Sequence, residues 1–174
     1  MAGTATQMDG PALASRAGKY LTFKLDAEEY GLEILKVQEI IKMMDITRVP
    51  RTPDFVRGVI NLRGKVIPVV DLRLKFGMAS RETTDKTCVI VVQVAHGDAT
   101  SGSMTMGTIV DEVSEVLDIA GEQIEPAPEF GTSVNTDFIL GMGKVAKKVV
   151  MLLDIDKVIA SGELAVVNKV AKVA

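Results

Sequence analysis

The residues in this chain that could do chemistry are few and poorly assembled for it. His96 is the only histidine among 174 residues and stands in the polar stretch His96 to Met104 (HGDATSGSM), where it reads as a solvated loop residue rather than a general base held in a pocket. Cys88 is the only cysteine and opens an apolar run (TCVIVVQV, Thr87 to Val94). No histidine or basic cluster lies near it to lower the thiol pKa, so it reads as an inert, buried hydrophobe. It cannot close an internal disulfide, which fits a reducing compartment, and the cytoplasm is the expected location. Asp71 and Asp154 hold matching places in the chain, but each precedes a short helical stretch, and helix capping explains both without a carboxylate pair or a metal. Gly141-Met142-Gly143-Lys144 lacks the length and the Ser or Thr of a phosphate-binding loop. No catalytic residue, cofactor or metal is expected, and the chain reads as a non-enzyme.

What positions these residues is a sequence that repeats. Gly31 to Pro50 (GLEILKVQEIIKMMDITRVP) and Gly107 to Pro126 (GTIVDEVSEVLDIAGEQIEP) share a leading Gly, a Val-x-Glu-hydrophobic centre and a closing Pro. Gly58 to Asp71 and Gly141 to Asp154 share a Gly, a turn and an apolar run closed by Asp. The offset between copies grows from 69 (Tyr20 to Val89) to 76 (Gly31 to Gly107) to 83 (Gly58 to Gly141). The additions fall in the His96 to Met104 loop and between Pro126 and Gly141, where surface insertions cost little.

Composition bounds the rest. With 47% hydrophobic and 25% charged residues the chain can bury a core, and its apolar runs of four to seven residues fall far short of the roughly 20 that a membrane helix needs. The first eighteen residues lack the basic and continuous apolar regions of a secretory signal and read as a flexible tail. A net charge of -3, scattered basic residues, no Trp, two Tyr and five Phe argue against a nucleic-acid surface.

The local signals are strand and turn. Tyr20 to Leu25 and Gly31 to Ile34 predict a hairpin around the loop Asp26 to Glu29. Leu35 to Met44 fits both helical and extended spacing, and either a helix or a strand interrupted by a helical turn satisfies the pattern. Phe55 to Leu62 and Lys65 to Val70 predict a second hairpin with Arg63-Gly64 at its tip, Gly supplying positive φ. Pro68 must face an unpaired edge or a bulge. Asp71 to Gly77 predicts a short helix with Asp71 as N-cap, and Leu164, Val167, Val170 and Ala171 predict an amphipathic C-terminal helix.

The stretches Glu28 to Ile40 (EEYGLEILKVQEI), Thr52 to Gly77 (TPDFVRGVINLRGKVIPVVDLRLKFG) and Glu122 to Phe130 (EQIEPAPEF) resemble the CheW family of bacterial chemotaxis coupling proteins. The most specific element is Gly58 to Gly64 (GVINLRG) followed by Asp71-Leu72-Arg73. The resemblance implies a mainly β fold of two five-stranded SH3-like barrels, matching the internal repeat. The expected organisation is a tail over 1–18, a first barrel over 19–86, a second over 87–160, with strand exchange across that boundary left open, and a C-terminal helix over 161–174. It also implies a cytoplasmic adaptor, monomeric in isolation, that couples chemoreceptors to the histidine kinase CheA within receptor arrays. The 174 residues show no kinase, phosphotransfer or receiver pattern, so a free-standing adaptor is the expected form. By matching motifs, the chemoreceptor's helical tip would meet Ile34, Val37, Glu39, Arg63, Gly107, Val113 and Val116. The regulatory domain of CheA would meet Phe55, Val56, Arg57 and Gly58, with Glu129 and Phe130 forming a second kinase contact. The residues alone leave competing readings open: Val37 and Val113 as core, Arg63 as a solvated turn residue, Phe130 packed on its own barrel. The alternative function is a small-barrel nucleic-acid-binding module, which would need a basic cleft.

Overall fold

The computed structural model describes residues 16–95, 103–126 and 138–158. Those residues are mainly β, in two sheets. One sheet has the order β3-β6-β7-β5-β4: β3 (Val37–Lys42), β4 (Val56–Leu62), β5 (Lys65–Asp71), β6 (Cys88–Ala95) and β7 (Ser103–Val110). The other runs β8-β1-β2-β11-β10-β9, from β1 (Gly18–Leu25), β2 (Glu28–Glu33), β8 (Glu112–Ile119), β9 (Ile124–Glu125), β10 (Ile139–Val145) and β11 (Lys148–Leu153). Two one-turn helices follow equivalent strands: α1 (Leu72–Lys75) after β5 and α2 (Ile155–Val158) after β11.

Each sheet curls so that its ends meet, giving two SH3-like barrels. In the first, the chain leaving edge strand β3 reaches the opposite edge, where Thr47 and Val59 exchange hydrogen bonds of 2.8 and 2.9 Å. In the second, the chain leaving β8 passes through a 3-10 turn, Gly121–Gln123, and pairs as β9 with β10. Gly58 makes the first closure possible. Its φ is +139°, and a Cβ there would lie 2.1 Å from the Thr47 carbonyl oxygen, a contact no side chain survives.

The strands of residues 19–86 are divided between the two sheets, and so are the described strands of residues 87–160. The β1–β2 hairpin joins the second barrel, pairing antiparallel with β8 and parallel with β11. The β6–β7 hairpin joins the first, pairing with β3 and, in parallel, with β5. Each repeat lends its leading hairpin to the barrel of the other. Strand β6 shows the consequence, burial on both faces: Val89 and Val91 fill the first barrel while Ile90 and Val92 fill the seam between barrels, so it reads as a near-continuous apolar run.

Three apolar clusters result. Ile60, Ile67, Val69, Val89, Val91 and Ile109 fill the first barrel, and Tyr20, Ile119, Ile124, Val150 and Leu152 the second. The largest lies between them and mixes residues of both, including Phe23, Leu32, Val70, Leu72, Ile90, Met106, Leu153 and Ile155. A run of stacked rings, Phe23, Tyr30, Phe76 and Phe138 with centroids 5.3 to 5.8 Å apart, crosses the same seam.

Local expectations meet different outcomes. Asp71 caps α1, accepting hydrogen bonds from the Arg73 and Leu74 backbone N–H groups at 2.9 and 3.4 Å. Pro68 pairs with Val59 on one side, and pairing to β7 on the other begins only at Val69, so its missing donor faces no partner strand. The β1–β2 turn is tighter than the expected Asp26 to Glu29 loop: Leu25 pairs with Glu28, leaving two residues, because Asp26 takes a φ of +57°. The ambiguous segment is a 3-10 turn, Ile34–Lys36, followed by β3. The N-terminal tail through residue 15, most of the His96 to Met104 loop and the C-terminal helix lie outside the described residues.

Candidate adaptor surfaces

The two-residue turn Arg63-Gly64 joins β4 to β5, with φ of +52° and +86°. The Asn61 side-chain oxygen accepts from the Gly64 N–H at 2.8 Å and holds the turn. This geometry projects Arg63 outward, 70% of its side chain exposed, yet the guanidinium is not loose. Both Nη atoms grip the carboxylate of Glu39 on β3, Nη1 at 3.1 Å from Oε1 and Nη2 against Oε2. β3 and β4 are opposite edges of the first sheet, so the pair bridges the barrel's closure from outside. Hydrogen bonding to Arg63 holds the Glu39 carboxyl below its ordinary 4.5 and raises the arginine. An ion pair so exposed is screened by water and salt and contributes little to stability. What it supplies is a fixed, bidentate arrangement of charge on an open surface.

The other expected receptor contacts divide. Val37 opens β3 and Val113 lies near the start of β8; both are half-buried and lean on the seam cluster. Ile34 sits on the 3-10 turn before β3, also half-buried against that cluster. Val116 is 48% exposed. Gly107 is buried: it lies where β7 runs parallel to β5, and a Cβ would meet Val89 Cγ1 at 2.8 Å. It offers a partner no side-chain surface, and close strand packing explains the glycine.

The expected kinase contacts are also mostly inward. Phe55 and Val56 are only 8% and 6% exposed, within the seam cluster. Gly58 is buried at the barrel closure. Arg57 alone presents its side chain, tethered to Asp71 at 2.9 Å. Beside it lies an open depression of about 1380 Å³ along residues 43–57, with Met43, Met44, Arg48, Arg51 and Arg57 around it. Glu129 and Phe130 lie outside the described residues, as does His96. Cys88 is half-buried, its thiol donating to the Lys86 carbonyl at 3.3 Å. Among the described residues no group of His, Cys, Asp or Glu is arranged to hold a metal ion, and no helix is long and apolar enough to cross a membrane.

The comparisons with known proteins agree with this geometry. The CheW-like domain profile matches residues 19–163. The chain belongs to the CheW-like family. It is 41% identical over 174 residues to the chemotaxis protein CheW of Klebsiella aerogenes, covering 99% of each chain. Identity to the CheW of Helicobacter pylori is 36% over 141 residues, 81% of each chain. Among solved structures, the scaffolding protein TtCheW of Thermoanaerobacter tengcongensis aligns with a TM-score of 0.73 at 36% identity, covering 84% of this chain and 95% of that one. The adaptor function in chemotaxis that the resemblance implied therefore stands, and the nucleic-acid alternative finds no support.

Sequence reasoning missed two features. Ile40 is 43% exposed and lies at the same repeat offset from Val37 that Val116 lies from Val113, so β3 and β8 each set an exposed apolar residue three positions after a half-buried valine. The offset of 76 could have found it. Arg73 enters the sequence reading as part of a short helix and of the Asp71-Leu72-Arg73 motif, with no contact expected of it. Its side chain is 9% exposed and donates to Asp26 and Asp111, both at 2.7 Å, and to the Ala79 carbonyl at 3.0 Å. The available signal is its place directly after Leu72 and the capping Asp71, at the buried start of the helix.

Proposed function

We propose that this protein is a cytoplasmic, non-enzymatic adaptor that holds the helical tip of a chemoreceptor and the regulatory domain of the histidine kinase CheA, so that receptor state controls kinase autophosphorylation. The observation that carries the proposal is the Glu39–Arg63 pair: bidentate, exposed and set on the rim of the first barrel. Charges held in fixed geometry on a surface give register and specificity to a docking helix more than raw affinity. The apolar part of the same contact comes from Ile34 on the turn before β3, Val37 and Ile40 on β3, and Val113 and Val116 on β8, which suit the apolar face of a receptor helix. Gly107 acts there through the strand it shapes.

The kinase domain docks, in this reading, on the first barrel at Arg57 and the adjoining depression, whose methionines adapt to a partner surface. Phe55, Val56 and Gly58 shape that face from within. Glu129 and Phe130 serve a second kinase contact that links adaptors and kinases into an array. Recruitment to the membrane follows from the receptors alone.

The test is reconstitution with receptor and CheA. Arg63→Glu keeps the turn's backbone demand unchanged and places two carboxylates face to face. The expected result is a native circular dichroism spectrum and melting temperature with loss of receptor-dependent kinase activation. Activation at the wild-type level in that variant removes Arg63 from the site. Failure of the wild-type protein to retain the CheA regulatory domain in a pull-down overturns the adaptor reading.

A further inference from the structure

The edge strands β3 and β8 are each preceded by an ion pair to a helix that belongs to the other barrel. Lys36 lies on the 3-10 turn immediately before β3, and its Nζ meets the Asp156 carboxylate of α2 at 2.7 Å. Asp111 lies between β7 and β8, and its carboxylate takes the Arg73 guanidinium of α1 at 2.7 Å. The helices occupy equivalent places in the repeat, Asp71-Leu72-Arg73 against Asp154-Ile155-Asp156, so Arg73 and Asp156 are counterparts of opposite charge. The strand junctions they hold are inverted to match, basic Lys36 before β3 and acidic Asp111 before β8. Each junction is therefore attracted to one helix and would be repelled by the other, a pairing rule built from charge sign.

We infer that Lys36–Asp156 and Arg73–Asp111 are positioning pairs that set the separation of β3 from β8 across the seam, and with it the fit of the receptor helix. Neither pair is invoked as a receptor contact. Each fixes the start of a strand whose first residues lean on the seam cluster, so a shift at the pair moves Val37 and Ile40, or Val113 and Val116, as a unit. The two pairs differ in setting. Arg73 is buried and shared by Asp26 and Asp111, while Arg81 also reaches Asp111 at 3.2 Å. Lys36 and Asp156 remain 31% and 27% exposed, so the charge there can be reversed without stranding an ion in the core. The link to receptor binding rests on the proposed function; the link to strand separation does not.

The experiment uses full-length protein with Cys88→Ser and spin labels at cysteines replacing the exposed Gln38 on β3 and Ser114 on β8, with receptor-tip affinity measured on unlabelled protein. Lys36→Asp is expected to shift or broaden the inter-label distance distribution and weaken receptor binding roughly five- to tenfold, with CheA affinity unchanged. Lys36→Asp combined with Asp156→Lys is expected to restore both. Asp111→Asn, which keeps the side-chain shape, is expected to broaden the distribution from the other strand. An unchanged distribution in Lys36→Asp overturns the inference, and so does a change that the reversed pair fails to rescue. Distances that move and recover while wild-type protein shows no receptor binding support the positioning pairs and overturn the receptor reading instead.

Discussion

At the scale of single residues, this chain uses ionisable groups in two opposite ways. Glu39 is ionised and displayed, its carboxyl drawn down by Arg63, so the surface pair persists below the ordinary carboxylate range. Glu33 is the reverse: burial first, and then the neighbouring Asp154, raise its carboxyl above 4.5. The folded state then binds the proton more tightly than the unfolded state does, so stability falls as pH rises from 4.5 through the raised value. Glu33→Gln removes the ionisation, and urea unfolding across pH 4 to 8 is expected to show a flatter profile with higher stability at neutral pH. A variant less stable than wild type at pH 7 would mean that Glu33 works as an anion paired to Lys36. Tyrosine gives a parallel reading, because the chain has two Tyr and no Trp. Burial, then Glu33, pushes Tyr20 up to about 12, and burial raises Tyr30 as well. The stability tied to Tyr20 is intact below 10 and is lost as pH climbs from 10 towards 12. Titration by absorbance at 295 nm is expected to leave one ring, Tyr20, un-ionised in folded protein until about pH 12, and to bring both rings to titrate near 10 once urea is added; ionisation of both rings near 10 without unfolding would contradict the burial of Tyr20.

At the scale of elements, the parts that could be read from sequence are those whose cause lies within a few residues. The Arg63-Gly64 turn and the Asp71 cap were legible because positive φ and an orphan N–H are local demands with local answers. The inward placement of Phe55, Val56, Gly58 and Gly107 was not. A motif shared with a family marks positions that matter without saying whether a side chain faces a partner or the core, and the deciding contacts come from remote parts of the chain. Gly58 shows this most plainly, since its requirement is set by Thr47 on the opposite edge of the sheet. The repeat supplies an internal control for that requirement. At Gly141 an added Cβ would meet the Ile124 side chain at 2.7 Å and the Glu125 carbonyl oxygen at 2.9 Å, a looser fit, and Gly141 has no positive φ. Gly58→Ala is expected to cost about 3 kcal/mol or more, and Gly141→Ala less, with chemical denaturation giving the order. Equal costs would show that barrel closure at Thr47 yields more easily than its geometry implies.

At the scale of the whole molecule, duplication was legible and exchange was not. Periodicity says which face of a strand is apolar, and it is silent on which sheet that face will join. The exchange decides how the chain folds. The β1–β2 hairpin supplies Tyr20 to the second barrel's interior, and the β6–β7 hairpin supplies Val89 and Val91 to the first. Cut in the exposed linker between Glu82 and Thr83, either half would retain one barrel lacking two strands and one hairpin with no sheet to join. Both halves would expose seam residues such as Leu32, Ile90 and Leu153 that are buried only when the copies interlock. Fragments 1–82 and 83–174 are therefore each expected to lack a cooperative thermal transition, and an equimolar mixture is expected to regain the native β spectrum and receptor binding. The intact chain is expected to unfold in one transition seen identically by circular dichroism and by Tyr absorbance, because neither barrel can persist once the other releases its hairpin. A fragment that melts cooperatively alone, or two separated transitions in the intact protein, would establish barrels that stand independently.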